Sequence, residues 1–189
     1  GTESATYPEV IEFYTQLAEN YKSIAMYTMG NTDSGKPLHL ITFNPNRSFE
    51  SEFSGDNKKN ILLINNGNHP GESDGIDASM LLLRDLANNN IETPKNTIIA
   101  VIPVYNIGGA LNRNSTTRTN QNGPKEYGFR GNARNYDLNR DFIKADTRNA
   151  HAFIDLFRTV KPDLFIDTHV SNGADYQYTL THLFTQHNK

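Results

Sequence analysis

Hydrophobic positions along the chain follow two different rhythms. From Pro8 to about Tyr21, the apolar residues Val10, Ile11, Tyr14, Leu17 and Ala18 recur near helical spacing. Asp74 to Ala87 places Ile76, Met80, Leu83 and Leu86 on one helical face, and Asp146 to Thr159 does the same with Ala150, Phe153, Ile154 and Phe157. Other stretches are continuously apolar. Ile61 to Ile64, "TIIAVIPV" at 97–104 and "LFIDTHV" at 164–170 read as buried strands. Ser23 to Phe43 reads as two short strands around a turn at Asn31 to Pro37. Arg47 to Asn60 is polar and loop-like, and residues 105–135, poor in aliphatics, predict a long functional loop.

Strands alternating with helices predict an α/β domain with a largely parallel sheet. In such sheets ligands gather at the carboxyl ends of the strands. His69 follows one predicted strand end and His169 sits at another. The chain shows no internal repeat and no linker, so its 189 residues are expected to form one domain with a real core.

Composition narrows the function. The net charge of −3 and the lack of any Lys/Arg run argue against phosphate-backbone binding, so no nucleic-acid partner is expected. No apolar run approaches the roughly 20 residues of a bilayer span. With no cysteine, disulfides, thiolate zinc sites and a cysteine nucleophile are excluded. No signal peptide is visible in this chain, and Gly1 in place of a starting Met fits a processed end; a secreted or periplasmic location is favoured. Asn46-Arg47-Ser48 and Asn114-Ser115-Thr116 fit the glycosylation pattern, which is common by chance.

Three stretches carry candidate chemistry. Residues 30–36, "GNTDSGK", approach a phosphate-binding loop, but Pro37 and a strand follow where Ser/Thr and a helix are needed, so a hairpin turn is the reading. "NNGNHPGESDG" at 65–75 sets His69 and Glu72 three apart on a turn that Pro70 and Gly71 can tighten. Zinc accepts imidazole and carboxylate ligands, and catalytic sites use three with one position open. His169, ending a separate strand, can complete a His₂Glu set; a plain polar loop is the alternative at this point. "RGNARNYDLNRDF" at 130–142 is dense in arginine and asparagine, with Tyr136 and Leu138 as apolar anchors. Arginine forks suit carboxylates. Arg130, Arg134 and Arg140 could equally pair with Asp137, Asp141 and Asp146 at the surface, where such pairs contribute little.

Taken in order, "HPGE" at 69–72, "YDLNRDF" at 136–142 and "DTH" at 167–169 resemble the zinc carboxypeptidases of the M14 class. "GNTDSGKPLHLITF" and "IPVYNIGGALNRN" resemble that family's early hairpin and its Asn-Pro-Asp-Gly strand end, although Ile107-Gly108 departs from the latter. The resemblance implies a three-layer α/β/α fold with a mixed, largely parallel sheet, and one zinc ion held by His69, Glu72 and His169. It implies that Asn139 and Arg140 bind the free carboxylate of a peptide C-terminus. Arg130 would stabilise the oxyanion, with Arg134 and Arg118 as alternatives, and Asp137 would orient His69.

One part of the pattern is missing. The family's general base is a downstream glutamate, yet Glu126 is the last glutamate of this chain, and nothing marks Asp175 as a substitute. The expectation is an amino-terminal portion of a larger enzyme, incomplete at its C-terminal side, that binds zinc but hydrolyses peptides weakly or not at all. An exposed sheet edge is expected with it, and with that edge a dimer. Two other readings stand: an aspartoacylase-like amidase on the same scaffold, and a non-catalytic fragment that binds peptide termini. The hairpin and longer helix before His69 favour the peptidase.

Overall fold

The computed structural model describes residues 2–45, 53, 59–171 and 177–184. The Asn46 glycosylation pattern, most of the predicted 47–60 loop and Asp175 lie outside the described residues. Helix α1 spans Tyr7–Asn20. A capping box sets its start: Thr6 Oγ1 accepts the Glu9 N–H, while Glu9 Oε2 accepts the Thr6 N–H at 2.7 Å. Such a cap contributes about 1 kcal/mol.

Strands β1 (Ile24–Asn31) and β2 (Pro37–Phe43) form an antiparallel hairpin. Its turn closes through the Thr32 N–H to the Lys36 carbonyl at 3.1 Å, with Gly35 at φ +77°. The glycine-rich stretch is therefore a hairpin turn leading into a strand. β3 (Asn60–Asn65), α2 (Asp74–Ala87) and β4 (Thr97–Ile102) follow. Residues 105–135, read as a loop, contain a short helix α3 (Ile107–Leu111) and a two-stranded ladder, β5 (Arg113–Asn114) with β6 (Tyr127–Gly128). These pieces are too short to leave a periodic signal. Helix α4 (Arg148–Val160) and strand β7 (Leu164–Asp167) complete the described elements.

The main sheet runs β1-β2-β4-β3-β7. β2 pairs antiparallel with β4, and β3 pairs parallel with both β4 and β7. The pleat explains why β4 reads as one apolar run. Ile99 and Val101 face α1 and α2, packing with Tyr14, Leu17 and Leu83, while Ile98, Ala100 and Ile102 face α4 with Leu156 and Val160. Both faces are covered, giving the three-layer α/β/α architecture with a mixed sheet.

β7 departs from the reading of a fully buried strand. Among the described residues it is an edge of the sheet, and Leu164 and Ile166 are 54% and 41% exposed. Its register sets Asp167 opposite Asn65, so β3 and β7 release their chains side by side at their carboxyl ends.

Candidate metal centre

The loop leaving β3 is fastened to the continuation of β4. The Asn66 N–H donates to the Ile102 carbonyl at 3.1 Å, Tyr105 N–H to Asn66 at 2.8 Å and Asn106 N–H to Gly67 at 3.0 Å. Gly67 sits at φ +66° against Val104, where a side chain would be strained. The chain then turns: the Glu72 N–H donates to the His69 carbonyl at 2.8 Å. That turn brings both side chains to one side, with His69 Nδ1 3.1 Å from Glu72 Oε1, and both residues are buried.

The neighbouring strand supplies the third group. The Thr168 N–H donates to the Asn65 carbonyl at 3.0 Å, and Thr168 Oγ1 to Asn66 Oδ1 at 2.9 Å. His169 Nδ1 then lies 3.0 Å from Glu72 Oε2, which also accepts the Val170 N–H at 3.0 Å. One candidate ligand atom from each of His69, Glu72 and His169 falls within 4.8 Å of the other two.

Each imidazole is held from behind by a carboxylate. Asp137 Oδ1 is 3.1 Å from His69 Nε2, and Asp167 Oδ2 is 2.9 Å from His169 Nε2. Asp167 is itself fixed by the side-chain amides of Asn65, at 2.8 Å, and Asn68, at 3.3 Å. Two guanidinium groups close the cleft side. Arg130 Nε donates to Asp137 Oδ2 at 3.0 Å and its Nη1 is 3.4 Å from His69 Nδ1; Arg118 Nη2 donates to Glu72 Oε1 at 3.1 Å.

The electrostatics follow from this packing. Burial alone would raise the Glu72 carboxyl, but hydrogen bonds from His169, His69 and the Val170 N–H outweigh it and hold it far below the usual carboxylate range. Burial likewise opposes ionisation of Asp137, and His69 together with Arg130 more than offsets it, lowering its pKa. His169 is pushed up to about 9, chiefly by Asp167 and then by Glu72.

The donor set fits zinc. With a metal bound, Asp137 and Asp167 would keep the proton on each Nε2 and leave each Nδ1 lone pair as a ligand, and the one carboxylate ligand lies between the two rings.

The remaining candidates are distributed unevenly. Arg118, Arg130 and Asp137 line a cleft of about 930 Å³ beside the triad, with residues 119–124 and the start of α2 forming other walls. Asn139 and Arg140 are not among its lining residues. The Asn139 N–H donates to Asp137 Oδ1 at 3.0 Å, and Arg140 is exposed with Nη1 on the Asn139 carbonyl at 2.9 Å. Of the surface pairings considered for this stretch, Arg130–Asp137 forms. Arg134 instead stacks over Tyr136, 4.7 Å from the ring centre. Asp141 is buried and accepts from the Thr147 hydroxyl at 2.6 Å. Leu138 is a buried anchor as expected, whereas Tyr136 is 44% exposed and is not one.

Sequence reasoning gave no role to Asp167, Asn65 or Asn68, and it considered Arg118 only as a substitute for Arg130. Asp167 was within reach: it stands two before His169, and strand side chains two apart share a face.

With the geometry in place, comparison with known proteins assigns a class. The chain belongs to the zinc carboxypeptidase family, whose sequence model matches residues 10–174. No curated protein matches. Among solved structures, a metallo-carboxypeptidase from Burkholderia cenocepacia is 20% identical with a TM-score of 0.68, covering 92% of this chain and 43% of its own. A metallo-carboxypeptidase from Pseudomonas aeruginosa, in complex with (2-guanidinoethylmercapto)succinic acid, is 16% identical with a TM-score of 0.64, covering 90% and 41%. Bovine thrombin-activatable fibrinolysis inhibitor, in complex with tick carboxypeptidase inhibitor, is 15% identical with a TM-score of 0.67, covering 90% and 62%. At these identities the likeness is one of fold. The chain spans less than two thirds of the length of each.

Proposed function

We propose that this chain carries the metal-binding part of a zinc metallocarboxypeptidase, a hydrolase that removes the C-terminal residue of a peptide. The observation that carries the reading is the convergence of His69 Nδ1, His169 Nδ1 and the Glu72 carboxylate at the ends of two adjacent parallel strands. His69, Glu72 and His169 would hold the zinc, and Asp137 and Asp167 would orient the two imidazoles. Zinc bound there would supply Lewis acidity at the scissile carbonyl and activate water for attack.

The chain's own residues would do the rest. Arg130 would give a guanidinium to the oxyanion, a contribution typically worth a few kcal/mol; its position on the cleft wall beside Asp137 supports this. Asn139 and the exposed Arg140 are proposed to take the peptide's terminal carboxylate, for which a planar fork is suited. That needs Arg140 to swing from the Asn139 carbonyl toward the cleft. No residue is assigned as general base. Among the described residues, the carboxylates at the triad are Glu72, Asp137 and Asp167, and each is already engaged with an imidazole.

Zinc stoichiometry measured beside turnover tests this. The expected result is one zinc per chain, lost in His69→Ala, with weak or no release of the terminal residue from hippuryl-type peptides. Failure to bind zinc would overturn the reading. Robust hydrolysis abolished by His69→Ala would place a base within these residues. Preference for N-acyl amino acids over hippuryl-type peptides would move the assignment to an amidase.

A further inference from the structure

Arg118 makes a contact that the proposed reaction does not use. Its side chain is only 13% exposed although it comes from the polar stretch between β5 and β6. Its Nη2 donates to Glu72 Oε1 at 3.1 Å and its Nε to Gln121 Oε1 at 2.6 Å, while its backbone N–H donates to the Tyr127 hydroxyl at 3.1 Å. Gln121 Nε2 in turn donates to the Gly71 carbonyl at 3.0 Å, within the turn that bears both ligands. Gly71 makes room for this: a Cβ there would stand 2.7 Å from Arg118 Cδ and 2.8 Å from the Gly128 carbonyl. The glycine between the two ligands is thus where the arginine stem crosses.

We infer that Arg118 is a positioning residue of the metal centre, acting through Glu72. The carboxylate has one partner of each kind on each oxygen. Oε1 meets the His69 ring and the Arg118 guanidinium; Oε2 meets the His169 ring and the Val170 N–H. The two imidazoles are the carboxylate's fellow candidate ligands, and Arg118 and the Val170 N–H are its other partners. A carboxylate tied at both oxygens cannot rotate, so its remaining lone pairs stay directed at the two Nδ1 atoms. Loss of Arg118 leaves Oε1 with the His69 ring alone and loosens the group about its terminal bond. Groups of this kind typically account for about 10- to 100-fold in metal affinity.

This inference rests on the metal-binding half of the proposed function, and its test separates the two. Co²⁺ and Zn²⁺ affinities of the protein are measured by chelator competition, with the visible spectrum of the Co²⁺ form as a report on ligand geometry. Arg118→Ala is expected to weaken both metals about tenfold or more and to shift the Co²⁺ bands. Arg118→Lys, which keeps the charge and one donor, is expected to recover most of the affinity. Arg118→Ala within about threefold of the parent, with unchanged Co²⁺ bands, would overturn the inference while leaving the metal centre intact. Lysine no better than alanine would also overturn it, since the arginine would then serve only to pack the loop. A parent protein that binds neither metal sinks the metal centre and this inference together.

Discussion

His169 Nδ1 lies 3.0 Å from Glu72 Oε2, although 97 positions separate the two residues in the chain. The contact depends on the parallel pairing of β3 with β7, which sets Asn65 against Asp167 and carries both chain exits to the same end of the sheet. Each side of the candidate site is therefore only as well placed as that strand register.

Asp137 and Asp167 hold the outer nitrogens of the two imidazoles. Asp137→Asn and Asp167→Asn are each expected to lower zinc affinity about 10- to 100-fold, because the carboxylate fixes the ring and raises its basicity. Chelator competition measures this. Unchanged affinity in both variants would show that neither carboxylate orients its ring.

Gly75 opens the first turn of α2 against the end of β7. A Cβ there would overlap Thr168 Oγ1 and come within 2.5 Å of Thr168 Cβ. Gly75→Ala is expected to destabilise the protein by about 1–3 kcal/mol through overpacking. Displacement of Thr168 should also weaken zinc binding, since His169 is the next residue. Urea melts with parallel zinc titration check both effects.

Asp167 and then Glu72 push His169 up from an ordinary 6.5 to about 9. The folded state then binds this proton more tightly than the unfolded chain does. The stabilisation is fully present below about pH 6.5 and is lost as pH rises through about 9. Melting temperatures of EDTA-treated protein should therefore fall across that window, and His169→Gln should flatten the fall. An identical slope in the variant would assign the effect to another group.

The β7 edge leaves Leu164 and Ile166 exposed beside unpaired backbone on its outer side, among the described residues. For this 189-residue chain the expected outcome is concentration-dependent self-association, reduced by Ile166→Lys, since a charge on an edge strand disfavours pairing. Sedimentation velocity over a concentration series checks it, and a monomer throughout would count against the edge as a pairing surface.

Much of the layered fold was legible in the sequence because its elements are long and periodic. The helical stripe of α2 and the apolar run of β4 each repeat one physical requirement over many residues, and the observed elements match them closely. β7 was legible as a strand but not as an edge, since burial depends on what lies beside a strand. The pieces within 105–135 were missed because a five-residue helix and two-residue strands carry no rhythm.

The site divides in the same way. His69 and Glu72 were visible as a pair because a local turn joins them, and residue type with spacing of three carries that information. Sequence alone also determined the chemical kinds available: imidazoles, carboxylates, arginine forks and no thiol. Tertiary structure decided which of these meet. Asp167 behind His169, Arg118 on Glu72 across the missing side chain of Gly71, and Arg140 lying outside the cleft lining follow from strand register and loop packing. Those contacts join residues tens of positions apart, and only the folded backbone sets the distances between them.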